Sequence, residues 1–131
     1  MIRITKLTDY GIVLLCHLAA QPAHRFNAPD LAEEARLPLP MVSKILKRLA
    51  KASLLESHRG VHGGYSLARP AAEVSMLEII EALEGPLAMT ECSESVPGVC
   101  HSEPFCPASR NWRRISRAVA DALSGVTLAE M

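Results

Sequence analysis

The chain has 131 residues, 49% of them hydrophobic and 21% charged, which is enough apolar material for one domain with a real core and no need of disulfide staples. Fourteen Lys and Arg balance fourteen Asp and Glu, which excludes a polybasic tail, an acidic activation tract or a disordered chain of high net charge, so any affinity for nucleic acid must come from local charge. No stretch approaches the roughly 18 continuous apolar residues of a membrane span, and Met1-Ile2-Arg3-Ile4 lacks the charged-then-apolar order of a secretory signal; a cytoplasmic protein with no membrane partner is expected.

The first helix is predicted from Thr8, as N-cap, to Ala20, with Ile12, Val13, Cys16 and Leu18 as its buried stripe and Gln21-Pro22 as its stop. Asn27 and Asp30 open a short second helix through Leu31, Ala32 and Ala35, and Arg36-Leu37-Pro38 turns the chain into a third, with Pro40 in its first turn. On that third helix Val42, Ile45, Leu46 and Leu49 share one arc while Lys44, Lys47, Arg48 and Lys51 share the opposite one. Two short apolar pieces, Leu54 to Ser57 and Tyr65 to Ala68, flank Arg59-Gly60-Val61-His62-Gly63-Gly64, whose glycines supply positive φ for a β-hairpin. Ser75-Met76-Leu77-Glu78 is a capping box; the fourth helix then carries Leu77, Ile80 and Leu83 until Gly85-Pro86 ends it. From Pro86 to Pro107 there is no periodicity, and a loop of that length needs an organiser. Trp112, Ile115, Val119 and Leu123 then recur at helical spacing to about Ser124, with Gly125 beyond.

Helix, helix, turn, basic helix and hairpin is the order of a winged helix-turn-helix, in which the second helix of the pair enters the major groove and the hairpin touches the flank. Between Arg36 and Arg69 seven Lys or Arg stand against the single acid Glu56, an excess suited to neutralising phosphates and masked by the zero net charge. Taken alone, a run such as Lys44, Lys47, Arg48, Lys51 is more often a solvated helix face; joined to the short helix and the glycine-tipped hairpin it reads as a DNA surface. Ser43, Lys44, Lys47 and Arg48 are the candidates for base edges and phosphates, with Arg59 and His62 on the wing.

The four cysteines do not pair by placement. Cys16 lies alone in an apolar helix and reads as core, while Cys92, Cys100 and Cys106 are separated by seven and five residues within the unorganised loop. In a reducing compartment clustered thiols read as metal ligands or redox sensors. No C-x-x-C knuckle of the usual structural zinc site is present, and thiolates are soft donors suited to iron-sulfur clusters; three from one loop leave one position open. A zinc site and a thiol-disulfide switch remain the alternatives. A thiol redox enzyme lacks both a C-x-x-C pair and a base arranged near a nucleophile, so no enzyme is expected.

The stretches Leu39 to Leu49, Ser57 to Arg69 and Glu81 to Pro86 together resemble the IscR-type winged-helix iron-sulfur regulators, with Arg59-Gly60-Val61-His62-Gly63-Gly64-Tyr65-Ser66-Leu67-Ala68-Arg69 as the most specific part. Ile4 to Gly11 and Val126 to Glu130 are similar to the branch that regulates the SUF iron-sulfur assembly system. The resemblance implies a homodimer formed largely through the last long helix and a near-palindromic double-stranded DNA operator. In some relatives a histidine three residues after the last cysteine completes the cluster, but Ser109 stands there. In the nitric-oxide-sensing, NsrR-like relatives an aspartate in the first helix of the partner subunit completes a 4Fe-4S cluster, and Asp9 occupies the matching position. The alternative for Asp9 is a carboxylate that complements the helix macrodipole.

The expected architecture is mainly α with a small β-hairpin wing: a winged helix-turn-helix DNA-binding domain over 1–85, a cysteine-bearing cluster loop over 86–108, and a dimerisation helix with its tail over 109–131. The expected function is an iron-sulfur cluster-dependent transcriptional regulator, a repressor of SUF-type assembly genes, whose cluster state gates operator binding. Cys92, Cys100, Cys106 and Asp9 are the expected ligands of a 4Fe-4S cluster, with 2Fe-2S as the other form. The rival is a zinc- or thiol-switch winged-helix module acting through protein interaction.

Overall fold

The computed structural model describes residues 2–94, 96 and 98–131. Helix α1 (Lys6–Ala20) is followed by α2 (Ala28–Ala35), α3 (Leu39–Lys51), strands β1 (Leu55–His58) and β2 (Gly64–Leu67), α4 (Met76–Glu84) and α5 (Ser109–Ser124). This is the mainly α architecture with one hairpin wing that the sequence leads one to expect.

The helices form where local chemistry closes their ends. Asn27 caps α2 by accepting the Asp30 amide at 2.8 Å, and Arg36 at its C-terminus takes the left-handed conformation, φ 56°. Ser75 and Glu78 make the reciprocal capping box of α4 as predicted. The start of α1 differs from expectation. Thr5 is the N-cap, accepting the Thr8 amide at 3.3 Å, so the helix begins earlier and Thr8 lies fully buried in its first turn. The buried stripe is accordingly rotated: Gly11, Leu14, Leu15 and Leu18 face inward, whereas Val13 is exposed and Ile12 and Cys16 are half-buried at the margin. An apolar run all round a helix gives no unique face, and the packing against α3 and α4 selects one. On α4, Met76 and Ile79 are buried with Ile80 and Leu83, while Leu77 is only half-buried.

One core joins these elements. Val42, Ile45, Leu46 and Leu49 of α3 are wholly buried with Leu14, Leu15, Leu31 and Ile79, and fully burying each such side chain is worth about 1.5–3 kcal/mol. The wing pairs Leu55 with Leu67 through His58 with Gly64 in antiparallel register. Its second strand is tied to the α1–α2 connection by reciprocal bonds between Phe26 and Tyr65, 3.0 and 2.7 Å. Gly64 makes this approach possible: at φ 143° a Cβ there would stand 2.6 Å from the Phe26 carbonyl oxygen.

The C-terminal tail is placed by tertiary contacts the sequence does not announce. After α5 the chain returns to the winged helix, where Met76 donates to Val126 (2.9 Å), Leu128 donates to Val74 (2.8 Å) and the Leu128 side chain enters the core.

Candidate nucleic-acid interface and cysteine loop

The buried arc of α3 turns its other side outward, so Lys44, Lys47 and Lys51 are exposed and Ser43 is half-buried beside them. At the wing, Arg59 and His62 are exposed on either side of Val61, which is 98% exposed at the tip. Among the described residues the side chains of Lys44, Lys47, Lys51 and Arg59 have no ion-pair or hydrogen-bond partner within the chain, so their charge is available to a ligand. Two members of the basic count are differently occupied. Arg69 bridges Glu78 at 2.7 Å and donates to the Glu73 carbonyl. Arg48, expected among the DNA contacts, turns its Nη1 to the Leu83 carbonyl at 3.0 Å. In the wing, His58 and Ser66 are hydrogen-bonded across the two strands at 2.9 Å.

The cysteine loop is organised mostly by side chains rather than by repeating backbone structure. It contains two single turns of 3-10 helix, Glu91–Ser93 and Glu103–Phe105. Two residues one turn apart on α5 hold its first part. Ser116, 6% exposed, accepts the Met89 amide at 3.0 Å, and Arg113 donates through Nε to the Cys92 carbonyl at 3.1 Å. Arg113 also pairs through Nη2 with Glu103, whose side chain is mostly buried. One guanidinium therefore fastens the segment around Cys92 and the segment just before Cys106 to the same helix.

All four cysteines are free thiols. Cys92 is buried, with Sγ 3.1 Å from the Thr90 hydroxyl; Cys100 and Cys106 are half-buried. Cys100 lines an open cavity of about 590 Å³ with His101, Glu103, Ser109 and Arg113. Among the described residues no three His, Cys, Asp or Glu side chains converge on the position of a single metal ion. Cys16 lies apart in α1, where burial pushes its thiol pKa up, so it behaves as a neutral packing residue.

Asp9 is exposed in the first turn of α1, and among the described residues its carboxylate has no partner in its own chain. Its neighbours, by contrast, are tightly engaged. Glu84, the last residue of α4, accepts hydrogen bonds from the Thr5 hydroxyl, from the Thr8 hydroxyl at 2.7 Å and from the Thr5 amide at 3.3 Å. These bonds, the two threonine hydroxyls foremost, hold the Glu84 carboxyl below the usual carboxylate range. Sequence reading missed Thr5, Glu84 and Ser116; only the Thr5-x-x-Thr8 spacing carried a local signal, that of a second possible cap.

On α5, Trp112 and Ile115 are 38% and 43% exposed, so the first half of the apolar stripe predicted there is uncovered, while Val119 and Leu123 are half-buried and Leu123 packs against the core. The basic residues Arg110, Arg114 and Arg117 are exposed around it.

Comparison with known proteins gives one consistent answer. The profile of the Rrf2 family, described as an iron-dependent transcriptional regulator, matches residues 4–131. The HTH-type transcriptional regulator NsrR of Shouchella clausii is 30% identical over 105 residues, covering 79% of this chain and 70% of that protein. Among solved structures, CymR, described as the global cysteine regulator of B. subtilis, matches with a TM-score of 0.76 at 27% identity, covering 99% of this chain and 95% of that one. The IscR structure of T. potens gives 0.74 at 26% identity, over 99% and 85%.

Proposed function

Because this chain belongs to the Rrf2 family of transcriptional regulators, we propose that it is a homodimeric, iron-sulfur-dependent repressor of SUF-type cluster assembly genes, with cluster state gating its hold on a double-stranded operator. The family makes it a DNA-binding regulator and not an enzyme. The cofactor, the dimer and the target genes are our reading.

One observation carries the cofactor: three free thiols, Cys92, Cys100 and Cys106, sit on one loop whose two ends a single arginine of α5 fastens. The donor chemistry fits an iron-sulfur cluster, since thiolates are its usual ligands and a cluster would offer more than one iron, so the three need not converge on a single ion. Asp9 is the fourth ligand in this reading, an exposed carboxylate with no competing partner in its own chain, supplied by the partner subunit. A 4Fe-4S cluster suits this mixed donor set, and 2Fe-2S is the other form. When bound, such a group supplies a centre whose charge and ligation change with redox state.

The chain's own residues do the rest. Arg113 and Ser116 keep the thiol loop on α5, and the uncovered Trp112 and Ile115 beside them suit the dimer face. Lys44 and Lys47, in the middle of α3, approach base edges and phosphates with Ser43, and Arg59 and His62 approach the flank. In a symmetric dimer two copies of α3 must stand about 34 Å apart to enter successive turns of the major groove. In this reading the loop would span the α5 of one chain and the α1 of the other and so set that distance.

Purification under anaerobic conditions followed by iron, sulfide and zinc assay tests this reading. Iron with matching acid-labile sulfide is expected, lost when the three cysteines are changed to serine, and Asp9→Ala should shorten the lifetime of the visible absorbance in air. Stoichiometric zinc without iron, or operator binding indifferent to the three serines, would overturn the cluster reading in favour of a zinc strut or a thiol switch.

A further inference from the structure

We propose that Arg48 is a positioning residue for DNA reading and not a DNA contact: its guanidinium hangs the reading helix α3 from the last turn of α4. The inference rests on the assignment of α3 as the DNA-reading helix made above. It deepens that assignment by removing one cation from the reading face and giving it a different task.

On a helical wheel Arg48 stands at the border of the basic arc, next to the buried Ile45 and away from Lys47. Its Nη1 donates at 3.0 Å to the carbonyl of Leu83, and it lines a groove between the two helices with Lys51, Ala52, Glu81 and Ala82. The Leu83 carbonyl is among the last four of α4, which lack a helical partner and need one from outside. Arginine meets that need with a permanent charge and a rigid fork, in a bond stronger than one between neutral groups.

The neighbours of Leu83 show why this turn is a useful place to hang a helix. Glu81 accepts the Leu87 amide at 3.3 Å and so holds the start of the cysteine loop. Glu84 accepts the hydroxyls of Thr5 and Thr8 and so holds the start of α1, beside Asp9. Three positions of a single helical turn thus attach the loop, the reading helix and the first helix. Beside the shared core packing, the bond that Arg48 makes gives α3 a polar tie to the turn that holds the loop and the start of α1.

The test exploits the difference between a phosphate-neutralising cation and a structural tie. Removing one such cation makes the plot of log affinity against log salt shallower by about 0.9. A fluorescein-labelled duplex, selected with this protein from a randomised pool, is titrated at several salt concentrations with the full-length wild type and with Arg48→Gln. Arg48→Met, which keeps the stem over α4, is run beside it, and circular dichroism with a melting curve establishes that each variant is folded. Both are expected to bind about tenfold more weakly, roughly 1.4 kcal/mol, at every salt concentration with an unchanged slope. Lys44→Ala, by contrast, should make the slope shallower by about 0.9.

A shallower slope for the Arg48 variants, or a full return of affinity and slope in Arg48→Lys, makes Arg48 a phosphate ligand and overturns the proposal. So does unchanged affinity. An unchanged slope for Lys44→Ala instead overturns the choice of reading face while the Arg48 result stands. A wild type that binds no duplex overturns both.

Discussion

The winged helix and the segment from the cysteine loop through α5 are built on different principles. In the first, every helix contributes to one core and helix ends find partners: Asn27 and Ser75 cap α2 and α4, Thr5 caps α1, and Arg48 takes a carbonyl at the end of α4. In the second, two 3-10 turns and a few side-chain bonds from Arg113 and Ser116 hold a long loop, Phe105 is 89% exposed, and α5 leaves Trp112 and Ile115 uncovered. The difference teaches where each half finds its stability. The winged helix closes with the returning tail, whose Leu128 enters its core, while the second region leaves apolar surface uncovered, which the proposed partner chain and cofactor would complete.

The contrast can be broken most directly at the core. Leu46→Ala in α3 should cost about 2–5 kcal/mol in urea unfolding, whereas Phe105→Ala in the loop should stay within about 0.5 kcal/mol; similar costs at both places would erase the distinction. Next in size is the joint change of Trp112 and Ile115 to alanine. It is expected to weaken self-association at least tenfold, about 1.4 kcal/mol, in sedimentation equilibrium while the secondary structure persists. A dimer of unchanged strength would place the interface elsewhere.

A smaller effect is expected at the α4 cap. Ser75→Ala should lower stability by about 1 kcal/mol, because it removes the acceptor of the Glu78 amide. The smallest is a matter of pH. Glu78 is held below the usual carboxylate range by the Ser75 amide and then by Arg69, and Glu84 by Thr5 and then Thr8. A carboxyl lowered in the folded chain contributes stability that is present above the unfolded value of about 4.3 and is lost as pH falls through the folded one. Melting temperature should therefore be level near neutrality and decline below about pH 4, and Glu84→Gln should shallow that decline. An equally steep acid limb in the variant would show that the Thr5 and Thr8 bonds do not favour the ionised form.

Much of the fold was legible because several local signals agreed at the same residues. In α3 the apolar and basic arcs, Pro40 in the first turn and the preceding turn at Arg36 to Pro38 all pointed one way. In α4 the capping box fixed the start and Gly85-Pro86 the end. Where one signal stood alone it misled: Thr8 resembles a cap as well as Thr5 does, and the near-continuous apolar run of α1 fits any face. At the candidate site, the exposure of Lys44 and Lys47 followed from helical periodicity and that of Arg59 from its place in the glycine-rich turn of the hairpin. The engagement of Arg48 and Arg69 did not, because it depends on which carbonyl or carboxylate a distant segment brings near.

By itself, then, the order of residues determined the helical and hairpin elements, the basic outer arc and the presence of three thiols on one loop, since each of these is set by neighbours within a turn or two along the chain. Only the tertiary structure decided which cations are spoken for, that Arg113 ties the surroundings of Cys92 to Glu103, that Leu128 returns to the core, and that the end of α4 joins α1, α3 and the loop. Most of those pairings link residues far apart in the chain, and hydrogen bonds of that kind leave no period or local pattern in the sequence that makes them.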